Sequence, residues 1–397
     1  MYSRSPLDSI RKFHSELTKL RQDLHQNPEI GFEEVRTSGI VAGALEALGI
    51  TVHRGIGKTG LVGIIEGRKS DSGRMIGLRA DMDALPILEE NQMEHCSKVP
   101  GMMHACGHDG HTAVLLGAAK YLASTRNFNG TVALIFQPAE EGLGGAKAML
   151  EDGMFEKFPC DEIYALHNWP ALPAGTIGIN PGPMMAASDI FEITIDGRGG
   201  HGAHPYQTID PIIVMAQIIT ALQTIVSRNV HPVKSAVISF GHVSAGSPKA
   251  ASVIPSHAKM VGTVRTFSDE VQNLVESRMR EIIASIAQAF GAKAELHYRR
   301  SYPATINTPE CANALADLAI ELFGEENVVR DLIPSMGSED FSFMLQKKPG
   351  AYFRLGQGGA EEGRLLHNPT FDFNDEVIPV GSAMFAALVE RRMPLDK

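Results

Sequence analysis

Cysteine is scarce in this 397-residue chain. Its four cysteines, Cys96, Cys106, Cys160 and Cys311, form no C-x-x-C pair and are too few for a disulfide framework. Long apolar runs are missing too. No stretch reaches the roughly 18 to 20 residues of a membrane span. The longest candidate, Pro211 to Val226, is interrupted by Gln217, Thr220, Gln223 and Thr224. The opening MYSRSPLDSIRKFHSELTKL is charged throughout and has no apolar h-region, so no secretory signal is visible. There is no basic excess: 36 Lys and Arg face 46 Asp and Glu, a net charge of −10, with scattered charge unsuited to a nucleic-acid backbone. G-x-S-x-G, the P-loop and H-E-x-x-H are all absent, which sets aside serine hydrolases, nucleotide-phosphate binders and the commonest helical zinc proteases. The expectation is a soluble, cytoplasmic protein with neither nucleic acid nor membrane as partner. Its 44% apolar content suffices for a full core, and at roughly 150 residues per domain the length predicts two or three domains.

Ile10, Phe13, Leu17, Leu20 and Leu24 recur in steps of three and four, predicting a helix over 9–27 that Asn27-Pro28 ends. A second helix is expected over 33–48, stopped by Gly49. Apolar runs at 61–65, 75–79, 131–136 and 163–166 read as strands, with helix patterns at 112–124 and 146–151 between them. Such alternation predicts an α/β fold with a mostly parallel sheet. From about residue 186 the pattern changes. Strand 190–195, the loop GRGGHGAHP, helix 210–227, strands 236–241 and 258–266, helix 269–290 and strand 293–298 give the order β-α-β-β-α-β, a ferredoxin-like unit. Beyond Tyr302 the α/β texture returns, with helix 309–323, strand 352–355 and helix 381–391. The economical arrangement is one discontinuous domain, 1–185 and 300–397, with an α+β domain inserted at 186–299.

In open α/β sheets ligands gather beyond the carboxyl ends of the strands. Here those ends carry Asp81-Met82-Asp83, Gln137-Pro138-Ala139-Glu140-Glu141 and His167-Asn168. The loop Met103-His104-Ala105-Cys106-Gly107-His108-Asp109-Gly110-His111 precedes a helix, and a late loop adds His367. Cysteine, histidine and carboxylate converging on one edge is the composition of a metal site. Cys106 and His108, two apart around a glycine, are able to face one ion. Of the adjacent pair Glu140-Glu141, one can ligate while its neighbour stays free as a base. Each residue also has a plainer reading. Cys106 alone is a small core residue; His104, His108 and His111 are spaced like one helix face; Glu140-Glu141 suits a helix N-terminus; His167 suits a strand end. The combination favours a metal-dependent hydrolase, with Cys106 as a thiol nucleophile the rival.

At these residues the chain resembles the aminoacylase-like family of metal-dependent amidohydrolases and carboxypeptidases. It is most similar to the branch of hippurate hydrolases, N-acetyl-amino-acid deacetylases and plant auxin-conjugate hydrolases. The motifs that carry the resemblance run along nearly the whole chain: LRQDLHQNPEIGFEE, GLRADMDALPI, MHACGHDGHTA, FQPAEEG, ALHNWP, GRGGHGAHP, VIPSHAKMVGTVRTF, MGSEDFS and LLHNPTFDFND. The resemblance implies a zinc-peptidase-like catalytic domain and a lid or dimerisation domain. It implies two divalent metal ions per subunit, zinc or manganese first, cobalt or nickel also compatible. Cys106, His108, Glu141, His167 and His367 would ligate them and Glu140 would be the general base. Asp81, where many relatives place a histidine ligand, is a weaker candidate, and Asp83 stands behind the ligands. His201 would polarise the scissile carbonyl in the site of a partner subunit, with His204 its rival in the same loop. Arg265 would anchor the substrate carboxylate, and Gly337 and Ser338 would line the pocket. The implied substrate is a small N-acyl amino acid and the implied assembly a homodimer or dimer of dimers. A dipeptidase or carboxypeptidase, or a non-catalytic binding homologue, are the alternatives. Ser252 departs from the family pattern, which has Asn before Val-Ile-Pro.

Overall fold

The protein is described by a computed structural model covering residues 6–395. The chain divides into two compact units, Met1–Met184 with Ile306–Ile333 and Asp340–Lys397, and Met185–Thr305 with Pro334–Glu339. The short segment carrying Gly337 and Ser338 thus falls in the smaller unit.

The larger unit is built on eight strands. In spatial order they are Thr51–Arg54, Leu61–Glu66, Thr131–Gln137, Met75–Asp81, Glu162–Trp169, Gly350–Gly356, Ile177–Gly178 and Val328–Val329. The central four run parallel. The two at the first edge are antiparallel, as is the pairing of Gly350–Gly356 with Ile177–Gly178. The sheet is therefore mixed, parallel at its centre and antiparallel at its first edge. The reason is local: Thr51–Arg54 and Leu61–Glu66 are joined by a short loop, and a short loop returns a strand antiparallel because only a long crossover restores its direction. Strand Thr51–Arg54, exposed and half-polar, has no period-2 apolar signal to reveal it.

The central strands are buried on both faces, as crossover helices require. Helix His108–Thr125 is buried on nearly every side and packs on Ile378–Arg392 and His14–Gln26. Close helix contact is possible because Gly117 lacks a side chain; a Cβ there would lie 2.4 Å from Ser382 Oγ, whose hydroxyl donates to the Val114 carbonyl at 2.7 Å. This helix begins at His108, four residues before the expected start, so His108 sits on its first turn and not in a loop.

The smaller unit has a four-stranded antiparallel sheet ordered Ala236–Ala245, His257–Thr266, Ala187–Asp196, Lys293–Tyr302. Helices Pro211–Thr224 and Asp269–Ala289 cover one face, and Phe191, Ile193, Val214, Ile218, Met260, Val275 and Met279 form its own core. Chain order is β-α-β-β-α-β. The first helix continues through a π turn to Asn229, beyond the run ending at Val226 that the sequence suggests. Pro211–Asn229 thereby reaches 19 residues at mean hydropathy 1.4, enough by length and composition alone to cross a membrane. Val214, Ile218, Leu222 and Ile225 are spent on the unit's core.

Candidate metal centre

The carboxyl ends of the parallel strands deliver the polar residues of the larger unit. Each strand runs one to three residues further than its apolar run, so Asp81 and His167 lie within strands. Gly107, at φ 93°, turns the chain into helix His108–Thr125; a Cβ there would lie 2.5 Å from Asn168 Oδ1. Only glycine fits both the backbone and the space. That turn brings Cys106 and His108 to the same side.

Cys106 Sγ is 3.3 Å from His167 Nε2. His167 Nδ1 lies 2.7 Å from the Asn168 carbonyl, so the proton belongs on Nδ1 and Nε2 keeps its lone pair. His108 is held in the same way: Nδ1 faces Asp83 Oδ1 at 3.2 Å, leaving Nε2. Asp83 accepts the Glu141 N–H on its other oxygen at 2.9 Å, so one carboxylate sets both His108 and Glu141. Glu141 Oε1 approaches His367 Nε2 to 3.0 Å. His367 has φ 61° and is exposed. Donor atoms of Cys106, His108 and His167, of Cys106, Glu141 and His367, and of His108, Glu140 and Glu141 form three groups, each within 4.8 Å. The Cys106 thiol is common to the first two. All five expected ligands and Glu140 are thus gathered in one place.

Glu140 is buried, and its Oε1 accepts the backbone N–H of Asp340 at 3.3 Å. Asp81 is engaged elsewhere. Oδ1 meets His111 Nδ1 at 2.6 Å and Oδ2 accepts Arg79 Nη1 at 2.7 Å, while His108 Nε2 stays 3.8 Å away.

The sequence matches, over residues 77–391, the model of peptidase family M20/M25/M40. The chain belongs to that family. It is 44% identical to the hippurate hydrolase of Campylobacter jejuni over 96% of this chain and 98% of that one. It is 42% identical to the N-acetylcysteine deacetylase of Bacillus subtilis, covering 95% and 97%. Among solved structures, a Bacillus subtilis protein described as a dinuclear metal-binding peptidase of family M20 superposes with TM-score 0.84 at 39% identity, covering 96% and 99%. This M20 protein is an enzyme, a hydrolase acting on amides.

The donors of the M20 site suit cations. Among the described residues buried His108 Nε2 has no hydrogen-bond partner and buried Glu141 Oε1 has only the ion-pair contact with His367, an expensive arrangement unless a cation meets them. Burial raises the Cys106 thiol pKa well above its usual value, and Glu141, Glu140 and Asp81 push it the same way. A bound cation reverses that balance. Burial works against the charged form of His108, but Asp81, Asp83 and Glu141 outweigh it and hold its pKa up at about 10. Burial lowers the His167 pKa well below the ordinary value, aided by His111, which preserves the neutral ring a ligand needs. For Asp81 burial is again opposed, here by His108, Arg79 and His111, and its pKa lies well below the usual carboxylate range.

The remaining candidates lie in the smaller unit. His201 is exposed on the short strand Gly200–His201, paired with Val253–Ile254, and its Nδ1 accepts the Ala203 N–H at 3.0 Å. His204 is its ring neighbour at 5.2 Å. Ser252 abuts this ladder, its carbonyl accepting the Gly202 N–H at 2.7 Å. Arg265 is half-buried on strand His257–Thr266, and its guanidinium makes no hydrogen bond or ion pair among the described residues. Burial lowers its pKa, with Asp189 opposing. The Gly337 N–H donates to Ser335 Oγ at 3.0 Å and its carbonyl accepts the Ala186 N–H, while Ser338 is half-buried.

Arg79 escapes the sequence reading, and His111, named there only within the histidine loop, proves to bind Asp81 and Asn168. Arg79 is fully buried, donating to Gln137 Oε1 at 2.8 Å, Asp81 Oδ2 at 2.7 Å and Asp340 Oδ1 at 3.2 Å. His111 Nε2 lies 2.7 Å from Asn168 Oδ1. The one available signal was alternation, since Arg79 and Asp81, two apart on one strand, share a face.

Proposed function

We propose that this M20-family enzyme hydrolyses the amide bond of N-acyl amino acids, releasing a carboxylic acid and a free amino acid. The observation that carries the reading is the divided pair: Glu141 turns to the Cys106 and His367 donors, while Glu140 is held by the Asp340 N–H within reach of the same cluster. Cys106, His108, Glu141, His167 and His367 would hold two divalent ions, with Asp81 engaged by Arg79 and His111 and so outside the ligand set. Thiolate and imidazole favour zinc, and carboxylate with imidazole admits manganese, cobalt or nickel. Such ions supply Lewis acidity to the scissile carbonyl and to the attacking water.

Glu140 takes the proton of that water and returns it to the leaving amine. Asp83 keeps His108 and Glu141 aligned. In the smaller unit, read as the dimerisation and lid domain, the unpaired Arg265 guanidinium offers a fork to the substrate carboxylate. His201 polarises the carbonyl in the site of a partner copy, and Gly337 and Ser338 line the pocket. A homodimer is supported by Ile212 and Ile213, exposed on helix Pro211–Thr224. A cytoplasmic setting suits four unpaired cysteines.

The test is amino acid release from a panel of N-acyl amino acids and dipeptides. It uses chelator-stripped protein before and after zinc or manganese is returned. Release restored by metal and confined to N-acyl substrates is the expected result. Restored release from dipeptides alone would move the enzyme to the peptidase alternative. Activity in verified metal-free protein would return attention to Cys106 as nucleophile.

Arg265→Ala should raise KM for N-acyl amino acids roughly 30-fold or more, the loss of a charge-assisted pair worth about 2 to 3 kcal/mol. Amides lacking the carboxylate should be unaffected by the substitution. An equal effect on both substrate types would remove Arg265 from the carboxylate site.

A further inference from the structure

The stretch LRQDLHQNPEIGFEE supplies no ligand and no proton-transfer group to the metal centre, yet its Glu34 is completely buried. Glu34 directly precedes helix Val35–Ala47 without capping it. Its carboxylate is used elsewhere. Oε1 accepts the backbone N–H of Ala139 at 2.8 Å and Oε2 accepts the Thr59 hydroxyl at 2.5 Å. Burying a carboxylate is costly, so its placement at a backbone N–H in a loop calls for a reason.

Ala139 supplies one. It directly precedes Glu140-Glu141 and has φ 52°, a left-handed conformation that a residue with a Cβ adopts at a cost. Such strain persists only where the surroundings over-determine it. Here they do. A Cβ on Gly31 would come within 3.0 Å of Ala139 Cα, and the Gly145 N–H donates to the Ala139 carbonyl at 3.0 Å. Among the described residues, the group that accepts the Ala139 N–H on this turn is the Glu34 carboxyl. The turn determines where the next two side chains go, Glu140 to the Asp340 N–H and Glu141 to Cys106 and His367.

We propose that Glu34 is a positioning residue for the Glu140-Glu141 pair, holding the left-handed turn at Ala139 through its hydrogen bond to the Ala139 N–H. The proposal rests on the roles assigned to that pair above. It distinguishes Glu34 from a residue that only stabilises the fold, because glycine adopts this φ freely. If Glu34 acts by enforcing the turn, glycine at 139 should replace it in part.

The experiment compares Glu34→Ala, Glu34→Gln and the double variant Glu34→Ala with Ala139→Gly against the wild type. It measures kcat and KM on an N-acyl amino acid and Mn²⁺ affinity of stripped protein by calorimetry. Glu34→Ala should lower kcat about 30-fold with little change in KM and weaken Mn²⁺ binding about tenfold, the usual scale for groups that orient ligands. Glu34→Gln, whose amide oxygen still accepts the Ala139 N–H, should recover most of both losses. Adding Ala139→Gly to Glu34→Ala should restore kcat about tenfold and Mn²⁺ affinity about threefold. Thr59→Val, which leaves the carboxylate but removes the hydroxyl that orients it, is the milder variant should Glu34→Ala not fold, and its smaller losses should be rescued by Ala139→Gly in the same way. A double variant no better than its parent, or wild-type kcat and Mn²⁺ affinity in Glu34→Ala, would overturn the proposal. A wild-type chain inert on every N-acyl amino acid would instead overturn the amidohydrolase reading, and the Mn²⁺ series would still decide the role of Glu34.

Discussion

Glu140→Ala is expected to lower kcat by about 10³- to 10⁴-fold while KM and bound-metal content stay near those of the wild type. In the proposed reaction Glu140 interacts with a proton in flight, an interaction made in the transition state and scarcely in the ground state, so the loss belongs in kcat. Metal content should hold because the donor atoms of Cys106, His108, Glu141, His167 and His367 are untouched. Glu140→Gln sharpens the test. Its amide oxygen can still accept the Asp340 N–H that Glu140 Oε1 accepts at 3.3 Å, so the side chain keeps its place and loses only its basicity. Near wild-type turnover in either variant would remove Glu140 as the base. Loss of metal in Glu140→Gln would reassign it as a ligand.

Arg79→Met is expected to destabilise the fold by about 3–5 kcal/mol, read as a lower denaturant midpoint. Arg79 is fully buried and is hydrogen-bonded to two carboxylates, Asp81 and Asp340, and to Gln137. Methionine fills comparable volume, so what is lost is the cation and not the packing. Asp81 and Asp340 are then left buried without that charge, which costs far more than an intact pair is worth. The pH dependence has a definite sign. The Asp81 pKa is lowered in the folded protein, so its pairing contributes stability that is fully present above the unfolded carboxylate value of about 4 and is lost as pH falls through the folded value. Removing Arg79 shrinks that contribution. The gap between wild type and variant should be widest at neutral pH and should narrow below about pH 4. A gap independent of pH would mean that packing, and not charge, explains the loss.

How much of this was legible beforehand depended on whether a residue's role is local. The strand-end rule located Asp81, Asp83, Glu140, Glu141 and His167 because a strand's last apolar residue marks where side chains leave the sheet. The extent of helix His108–Thr125 was misjudged because its first turn, His108-Asp109-Gly110-His111, is polar by composition although buried in the fold. The antiparallel edge was missed because Thr51–Arg54 lies half-exposed and carries no alternating signal. Arg79 and Glu34 were passed over because a buried charge is intelligible only beside its partners. Those of Glu34 are 25 and 105 residues away in sequence.

The sequence by itself determined the kind of chemistry. Carboxylate and imidazole stand at strand ends and the thiol in the loop before a helix, with two adjacent glutamates free to take different roles, and nine ordered motifs tie them to one family. Tertiary structure decided which of those groups remain available. Asp81, the weaker candidate on paper, has both its oxygens occupied by Arg79 and His111, while among the described residues buried His108 Nε2 has no hydrogen-bond partner and Glu141 Oε1 faces only His367. The reason is that a polar atom's readiness for a cation depends on whether a donor from elsewhere in the chain already satisfies it, and folding alone brings those donors together.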